Sequence, residues 1–377
     1  MKAIILAGGE GTRLRPLTYT TPKAMVPILG RPYLEHMLVY LRRNGVTEIA
    51  LALGHHPEPI QRYFGDGSHW GVRLDMVVEP QPLGSGGAIK QFAPGLARPF
   101  FAVNGDVLTD FDLTSMRRQH EQTDAALSIA LMEVKDPSAF GVAALDADGR
   151  IINFVEKPPA GAAPSNWANA GIWLFEPRVL DRIPAGRRSM VEMELFPELI
   201  SAGERVQAYR GHGFWVDIGT PERYLAAQLR LLEEPGLREL PLVSWPGTPF
   251  LSAETEPNVE NAPHVATDAS IEGPVLFGRG VTVESGAVIR GPVAIGAGCR
   301  IGPRAFLERS VLWEACTIAA NGRVSESVLA EEVVVGVRAG LLRVIAGRAA
   351  SFEEGTKAAD GRVEPETAWC GPGETNV

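Results

Sequence analysis

Ile271, Phe277, Val283, Ile289, Ile295, Ile301, Leu307 and Trp313 fall every six residues. Four places after the first six of them stand the small or β-branched residues Val275, Val281, Ala287, Val293, Cys299 and Ala305. A period of six fits neither an α-helix, at 3.6 residues per turn, nor a simple two-sheet sandwich. It does fit a parallel β-helix, in which every sixth side chain points into one narrow shared core. The register slips by one at Ile318 and Val324 and fades near 345. Residues 266–345 are therefore expected to coil as stacked short strands. Residues 346–377, with Glu353, Glu354, Glu364, Glu366 and Glu374 among small residues, are expected to form a loosely ordered tail.

This repeat resembles the left-handed hexapeptide-repeat β-helix family. Members of that family often transfer acyl groups, a chemistry that usually needs a His general base. The seven His stand at 36, 55, 56, 69, 120, 212 and 264, none of them between 271 and 345. A role in assembly or regulation is the better expectation, and the exposed faces and ends of such a helix invite self-association into a homo-oligomer.

Residues 1–232 have a different texture. Short β-rich runs (Ala3 to Ala7, Glu48 to Leu53, Leu74 to Val78, Phe100 to Asn104, Ala126 to Met132) alternate with helical patterns, the signature of an α/β domain on a mostly parallel sheet. Between the first two runs, Leu34, Met37, Leu38 and Leu41 recur at helical spacing, with Pro32 near the start and Gly45 as a stop. Between the two halves, residues 233–265 hold Pro235, Pro241, Pro246, Pro249, Pro257 and Pro263 and read as a linker. With 41 Gly and 29 Pro in 377 residues, a chain built from such turns, hinges and corners cannot be an all-helical bundle.

The charge balance of 36 basic against 45 acidic residues, a net −9, disfavours nucleic acid or an anionic membrane as partner. Three Cys without a C-x-x-C pair suit a reducing compartment, and no run of 18 apolar residues occurs, so a cytoplasmic protein is expected. Within residues 1–30, however, Lys2, Arg13, Arg15 and Lys23 stand against Glu10 alone. They accompany the run Gly8-Gly9-Glu10-Gly11-Thr12-Arg13-Leu14-Arg15-Pro16, which follows the first strand. Bare backbone N–H groups beside several cations suit a polyphosphate. The run is neither a dinucleotide fingerprint, because Leu14 stands at the third glycine position, nor a Walker A loop.

These residues, with Thr21-Pro22-Lys23, Gly105-Asp106, Phe154-Val155-Glu156-Lys157-Pro158, Asn169-Ala170-Gly171 and Trp215-Val216-Asp217, resemble the signatures of the sugar-1-phosphate nucleotidylyltransferases in order along residues 1 to about 230. With the appended β-helix, the chain resembles the two-domain mannose-1-phosphate guanylyltransferases. The resemblance implies a Rossmann-like nucleotidyltransferase domain followed by the left-handed parallel β-helix. It also implies transfer of a nucleotidyl group to a sugar 1-phosphate with Mg²⁺ as cofactor. Arg13 and Lys23 are then the catalytic cations, and Asp106 and Asp217 hold the metal. Leu6, Ala7, Gly8, Gly9, Gly11, Thr12, Glu79 and Gly84 line the nucleotide, while Gly141, Glu156, Lys157 and Asn169 meet the sugar phosphate.

The base can be argued from Glu79, five residues before Gly84, where relatives using uridine, thymidine or adenosine triphosphates tend to carry Gln. A carboxylate only accepts, which matches the N1–H and N2–H₂ donors of guanine and favours GTP. Gln81 would offer an amide to a pyrimidine if the loop were shifted. The Gly84-Ser85-Gly86-Gly87-Ala88-Ile89-Lys90 run also resembles heptose-1-phosphate guanylyltransferases, which leaves mannose, glucose and heptose open as the sugar.

Overall fold

The computed structural model describes residues 1–54, 56–234, 250–251 and 262–370. Most of the expected linker therefore lies outside the described residues. Two compact units divide the chain: Met1–Glu10 with Leu34–Val216, and Gly11–Tyr33 with the chain from Asp217 onward. This division crosses the boundary expected near 232. The glycine-rich segment is split at Gly11, and its part from Gly11 onward groups with Asp217 and the β-helix.

The first unit is built on a nine-stranded sheet: β1 (Lys2–Ala7), β2 (Glu48–Leu53), β3 (Arg73–Val78), β4 (Phe100–Asn104), β5 (Leu127–Glu133), β6 (Gly141–Leu145), β7 (Ile151–Glu156), β8 (Trp167–Phe175) and β9 (Val206–Arg210). The spatial order is β7-β6-β8-β4-β1-β2-β3, and β5 pairs with both β8 and β9. Strands β4, β1, β2 and β3 run parallel. Strand β8 is antiparallel to β4 and opens a mixed extension towards β7. The all-apolar run Phe100 to Val103 belongs in the middle of such a sheet, covered on both faces, and all four residues are buried. Helix α1 (Tyr33–Arg43) forms as its spacing predicts, with Leu34, Met37, Leu38 and Leu41 buried and Gly45 adopting φ 78° just beyond its end. The immediate neighbours of β1, both parallel to it, are β4 on one side and β2 on the other, so the chain leaves β1 where the winding direction reverses.

The second unit contains helix α2 (Pro221–Glu233) and the stacked strands that begin at His264–Val265. Three parallel sheets form the helix faces. Rungs are 18 residues at first, as in the pairing Val275↔Val293, and then 17, as in Val311↔Val328. The change falls after Leu307: the inward position passes to Leu312, and Trp313, the eighth member of the six-residue series, leaves the shared core. The shortened corner is held by serines. Ser310 Oγ accepts from Ser327 N and Ser327 Oγ accepts from Val344 N, at 3.1 and 3.0 Å, while each hydroxyl donates to the carbonyl two residues back. A side-chain oxygen thus supplies the acceptor at a corner that has lost a residue.

The expected loose tail from 346 is corrected. Pairing continues without interruption through Ala346↔Val363 and Phe352↔Trp369 to a last strand at Ala368–Trp369. The periodic signal fades there because Ala346, Ala350 and Ala358 take inward positions that the preceding rung gives to Leu329, Val333 and Leu341. Backbone pairing does not depend on that size. Residues 371–377 lie outside the described residues.

Candidate active site

The carboxyl end of β1 is walled by two glycines. A Cβ on Gly54 would stand 2.2 Å from Gly8 O, and one on Gly105 would stand 2.5 Å from Leu6 O, so β2 and β4 can approach the Leu6-Ala7-Gly8 segment only without side chains there. A Cβ on Gly9 would meet nothing within 4 Å, which leaves its backbone open on that side. Glu79 follows β3, held by Glu79 N donating to Leu53 O at 2.7 Å, and a Cβ on Gly8 would lie 3.6 Å from Glu79 Oε2. Leu83 N donates to Oε2 at 3.3 Å and Gln91 Nε2 to Oε1 at 3.2 Å. Burial raises the carboxyl pKa of Glu79 above the usual carboxylate range, against those two hydrogen bonds. Gln81 is exposed. Gly84, at φ 70°, packs on the Ser189 backbone and the Met190 sulfur, and a Cβ there would stand 2.5 Å from Ser189 O.

In the second unit, Gly11, at φ 66°, folds the glycine-rich segment back on itself. Thr18 Oγ1 donates to Gly11 O at 2.7 Å, and a Cβ on Gly11 would lie 3.2 Å from Lys23 Cβ. Thr12 opens a single turn, Thr12–Leu14, that exposes both Thr12 and Arg13. Arg13 lies over Gly219: a Cβ there would stand 3.0 Å from the Arg13 terminal nitrogen and 2.6 Å from Asp217 Oδ1. Asp217 accepts from Gly219 N at 2.6 Å and from Arg223 Nη1 at 2.8 Å. Arg13 and Asp217, distant in sequence, are thereby neighbours.

A third group forms on β6, β7 and β8. Gly141 and Glu156 are direct cross-strand partners. Lys157, at φ 46°, donates its N–H to Phe140 O at 3.0 Å and sets its ammonium 3.5 Å from Glu156 Oε1. Asn169 sits where the β8–β5 register shifts, and its Oδ1 accepts from Gly171 N and Trp173 Nε1, both at 3.0 Å. Its amide nitrogen is left as the donor end. Trp215 closes this side, donating to Ala170 O at 3.0 Å and packing edge-on against Phe140.

Glu192 belongs to this group, and sequence reasoning missed it. It lies in a π-helical stretch, Val191–Leu195, and accepts from Ser85 Oγ at 2.6 Å. Burial raises its pKa, the Glu156 charge raises it further, and Lys157 opposes both. A π-type widening of a helix often marks a functional position.

Asp106 follows Gly105 between β4 and the short strand Val107–Thr109 and is half-buried. The same segment orders the approach to Asp217: Asp110 Oδ1 accepts from Phe214 N at 2.7 Å and Thr109 Oγ1 donates to Phe214 O at 2.9 Å. Among the described residues no cluster of three or more His, Cys, Asp or Glu could hold a metal alone. A carboxylate offers about four lone-pair sites, so one that already accepts hydrogen bonds can still ligate a cation. The carboxylate of each of Asp106 and Asp217 is an all-oxygen group of the kind that a hard cation such as Mg²⁺ takes. No helix among the described residues is long and apolar enough to cross a membrane.

Residues 2–234 match the nucleotidyl transferase family profile, and residues 271–367 match the GMPPB C-terminal domain. The chain is similar to a UTP–glucose-1-phosphate uridylyltransferase from Synechocystis, 36% identical over 87% of each chain. It is equally similar, at 36% identity over 79% of this chain and 82% of the relative, to a mannose-1-phosphate guanylyltransferase from Mycobacterium tuberculosis. Among solved structures it resembles a putative glucose-1-phosphate thymidylyltransferase from Bacillus anthracis, with TM-score 0.56 and 26% identity over 60% of this chain and 94% of that one.

Proposed function

The chain belongs to the nucleotidyl transferase family, and on that premise we propose that it transfers the guanylyl group of GTP to mannose 1-phosphate, giving GDP-mannose and pyrophosphate. A phosphate oxygen of the sugar phosphate attacks the α-phosphorus, an O–P bond forms, and the bond to the β-phosphate oxygen breaks. The attacking oxygen is already anionic at neutral pH, so no general base is needed. The remaining problem is electrostatic: two anions must meet in line while charge grows on the leaving pyrophosphate. Arg13 serves the leaving phosphates, Lys23 the α-phosphate, and Lys157 the attacking phosphate. Glu156, Asn169 and the Gly141 backbone meet sugar hydroxyls. Asp106 and Asp217 would hold Mg²⁺, which supplies charge neutralisation to the triphosphate. Chelation with EDTA is expected to abolish turnover and added Mg²⁺ to restore it; full activity in chelator would remove the ion from the reading.

The observation that carries the choice of base is Glu79, a partly buried acceptor beside Gly8. The match to the GMPPB C-terminal domain and the M. tuberculosis relative supports the same reading. The Synechocystis relative favours a second one, uridylyl transfer to glucose 1-phosphate. Pyrophosphate release measured over a grid of triphosphates and sugar 1-phosphates decides between them. GTP with mannose 1-phosphate is expected to win, and Glu79→Gln to weaken the preference for GTP; an unchanged winner in the variant discards the Glu79 argument. The raised pKa of Glu79 adds a pH signature. Guanine needs the ionised form, so KM for GTP should rise as pH falls through a window above the ordinary carboxylate range. In Glu79→Gln that pH dependence should flatten. Buried, unpaired Cys299 and Cys316 suit the reducing cytoplasm in which this reaction is placed. Self-association through the β-helix belongs to the same reading.

A further inference from the structure

We propose that the β-helix positions the phosphate loop for catalysis, with Tyr224 and Trp313 as positioning residues; the inference rests on the role given above to Lys23. Its starting point is the rung at which the repeat shortens. Trp313 leaves the shared core there, yet its side chain is only 2% exposed. Its Nε1 donates to Tyr224 Oη at 2.8 Å, and that hydroxyl donates onward to Pro27 O at 2.5 Å. Tyr224 is fully buried, and burial raises its phenol pKa, which keeps the relay's central proton in place. The relay thus runs from a β-helix rung, through α2, to a backbone carbonyl in the segment that carries Lys23.

Other contacts reach the same segment. Leu29 N donates to Gln228 Oε1 at 2.8 Å, and Leu29 itself holds φ 48°, a conformation that a β-turn residue keeps only when its surroundings fix it. On the other side of Lys23, Thr21 Oγ1 donates to Glu331 at 3.4 Å. Tyr19 Oη donates to Glu364 at 3.3 Å while its ring lies 4.9 Å beneath the Arg15 guanidinium. Both carboxylates come from the β-helix. Residues 15 to 29 are therefore held on both flanks of Lys23 by a stack of rungs that is stiff because each rung pairs with the next. A domain that served assembly alone would have no need to ligate this segment. Two further ion pairs tie α2 to the β-helix without touching the loop, Arg309 to Glu233 and Arg362 to Glu222, both 2.8 Å and exposed. They provide an internal control.

The test uses the full chain. Tyr224→Phe keeps the ring and removes the relay. A single neutral hydrogen bond that acts in the transition state sets the scale at about 3- to 10-fold in kcat, with KM for both substrates within about twofold. Trp313→Phe should act in the same direction, and the double variant should be no slower than Tyr224→Phe, because the two bonds lie in series. Thr21→Val, which keeps the side-chain volume at a half-buried position, should lower kcat without moving the melting temperature. Arg309→Ala should leave turnover unchanged. In the ligand-free protein, amide hydrogen exchange across 11–33 should quicken in Tyr224→Phe and not in Arg309→Ala. Wild-type turnover in Tyr224→Phe and Thr21→Val would overturn the proposal, as would equal losses in Arg309→Ala. If the wild-type chain releases no pyrophosphate with any substrate pair, the proposed reaction fails by itself. The exchange experiment then still decides whether the relay holds the loop, and unchanged exchange sinks it.

Discussion

Purified Lys23→Ala is expected to turn over about 10² to 10³ times more slowly than the wild-type chain, the usual cost of removing one donor aimed at developing charge. The protein should remain folded, because Lys23 is only half-buried and the Gly11–Thr18 hydrogen bond beside it does not use its ammonium. Lys23→Arg should not rescue the rate. A planar fork cannot take the place of a compact ammonium that must follow a phosphate through its displacement. Asp106→Ala should fall in the same range, and excess Mg²⁺ should not restore it if the carboxylate is one of two that hold the ion. The measurement is single-turnover pyrophosphate release with circular dichroism on the same samples. Near-normal rates in folded Lys23→Ala and Asp106→Ala would dismiss the assignment of these residues.

The fold was readable where one side-chain period dominates. Leu34, Met37, Leu38 and Leu41 predict α1, and the six-residue series predicts the stacked strands, because in both cases burial selects large apolar residues at fixed intervals. The reading failed where the core is made by small residues. Ala346, Ala350 and Ala358 carry the helix as firmly as Ile289 does, but alanine is no signal in a sequence that uses it everywhere. It also misplaced Trp313, because a large apolar residue on the period looks like a core residue, while the one-residue contraction at Ser310 turns it outward to Tyr224.

The site was legible as residue types and less so as an arrangement. Gly11 lies against Lys23, and Gly141 against Glu156. That Arg13 would lie against Asp217 could not be read, since the two are brought together by Gly219, whose only contribution is the absence of a side chain. Glu192 was hidden for a similar reason. Its place beside Glu156 and Lys157 depends on a hydrogen bond to Ser85, a residue of a different segment.

Gly141→Ala carries the other large expected effect, and its geometry is specific. The new Cβ would stand 2.5 Å from both Glu156 Oε2 and Phe154 Cζ. The Phe154 ring cannot yield, because it is buried and packed edge-on against Phe196 at 5.2 Å. The Glu156 carboxylate must therefore move, and Lys157, paired with it at 3.5 Å and held by the Phe140 carbonyl, loses its partner. Such overpacking costs about 1 to 3 kcal/mol of stability. A displacement of about 1 Å in a positioned group can cost about 10²-fold in rate. The loss should fall on one substrate: kcat/KM for the sugar 1-phosphate drops by about 10²-fold, while KM for the triphosphate, whose expected residues are elsewhere, stays near the wild-type value. Equal losses toward both substrates would mean that the variant has damaged the fold rather than the sugar side of the site, and unchanged kinetics would remove Glu156 from it.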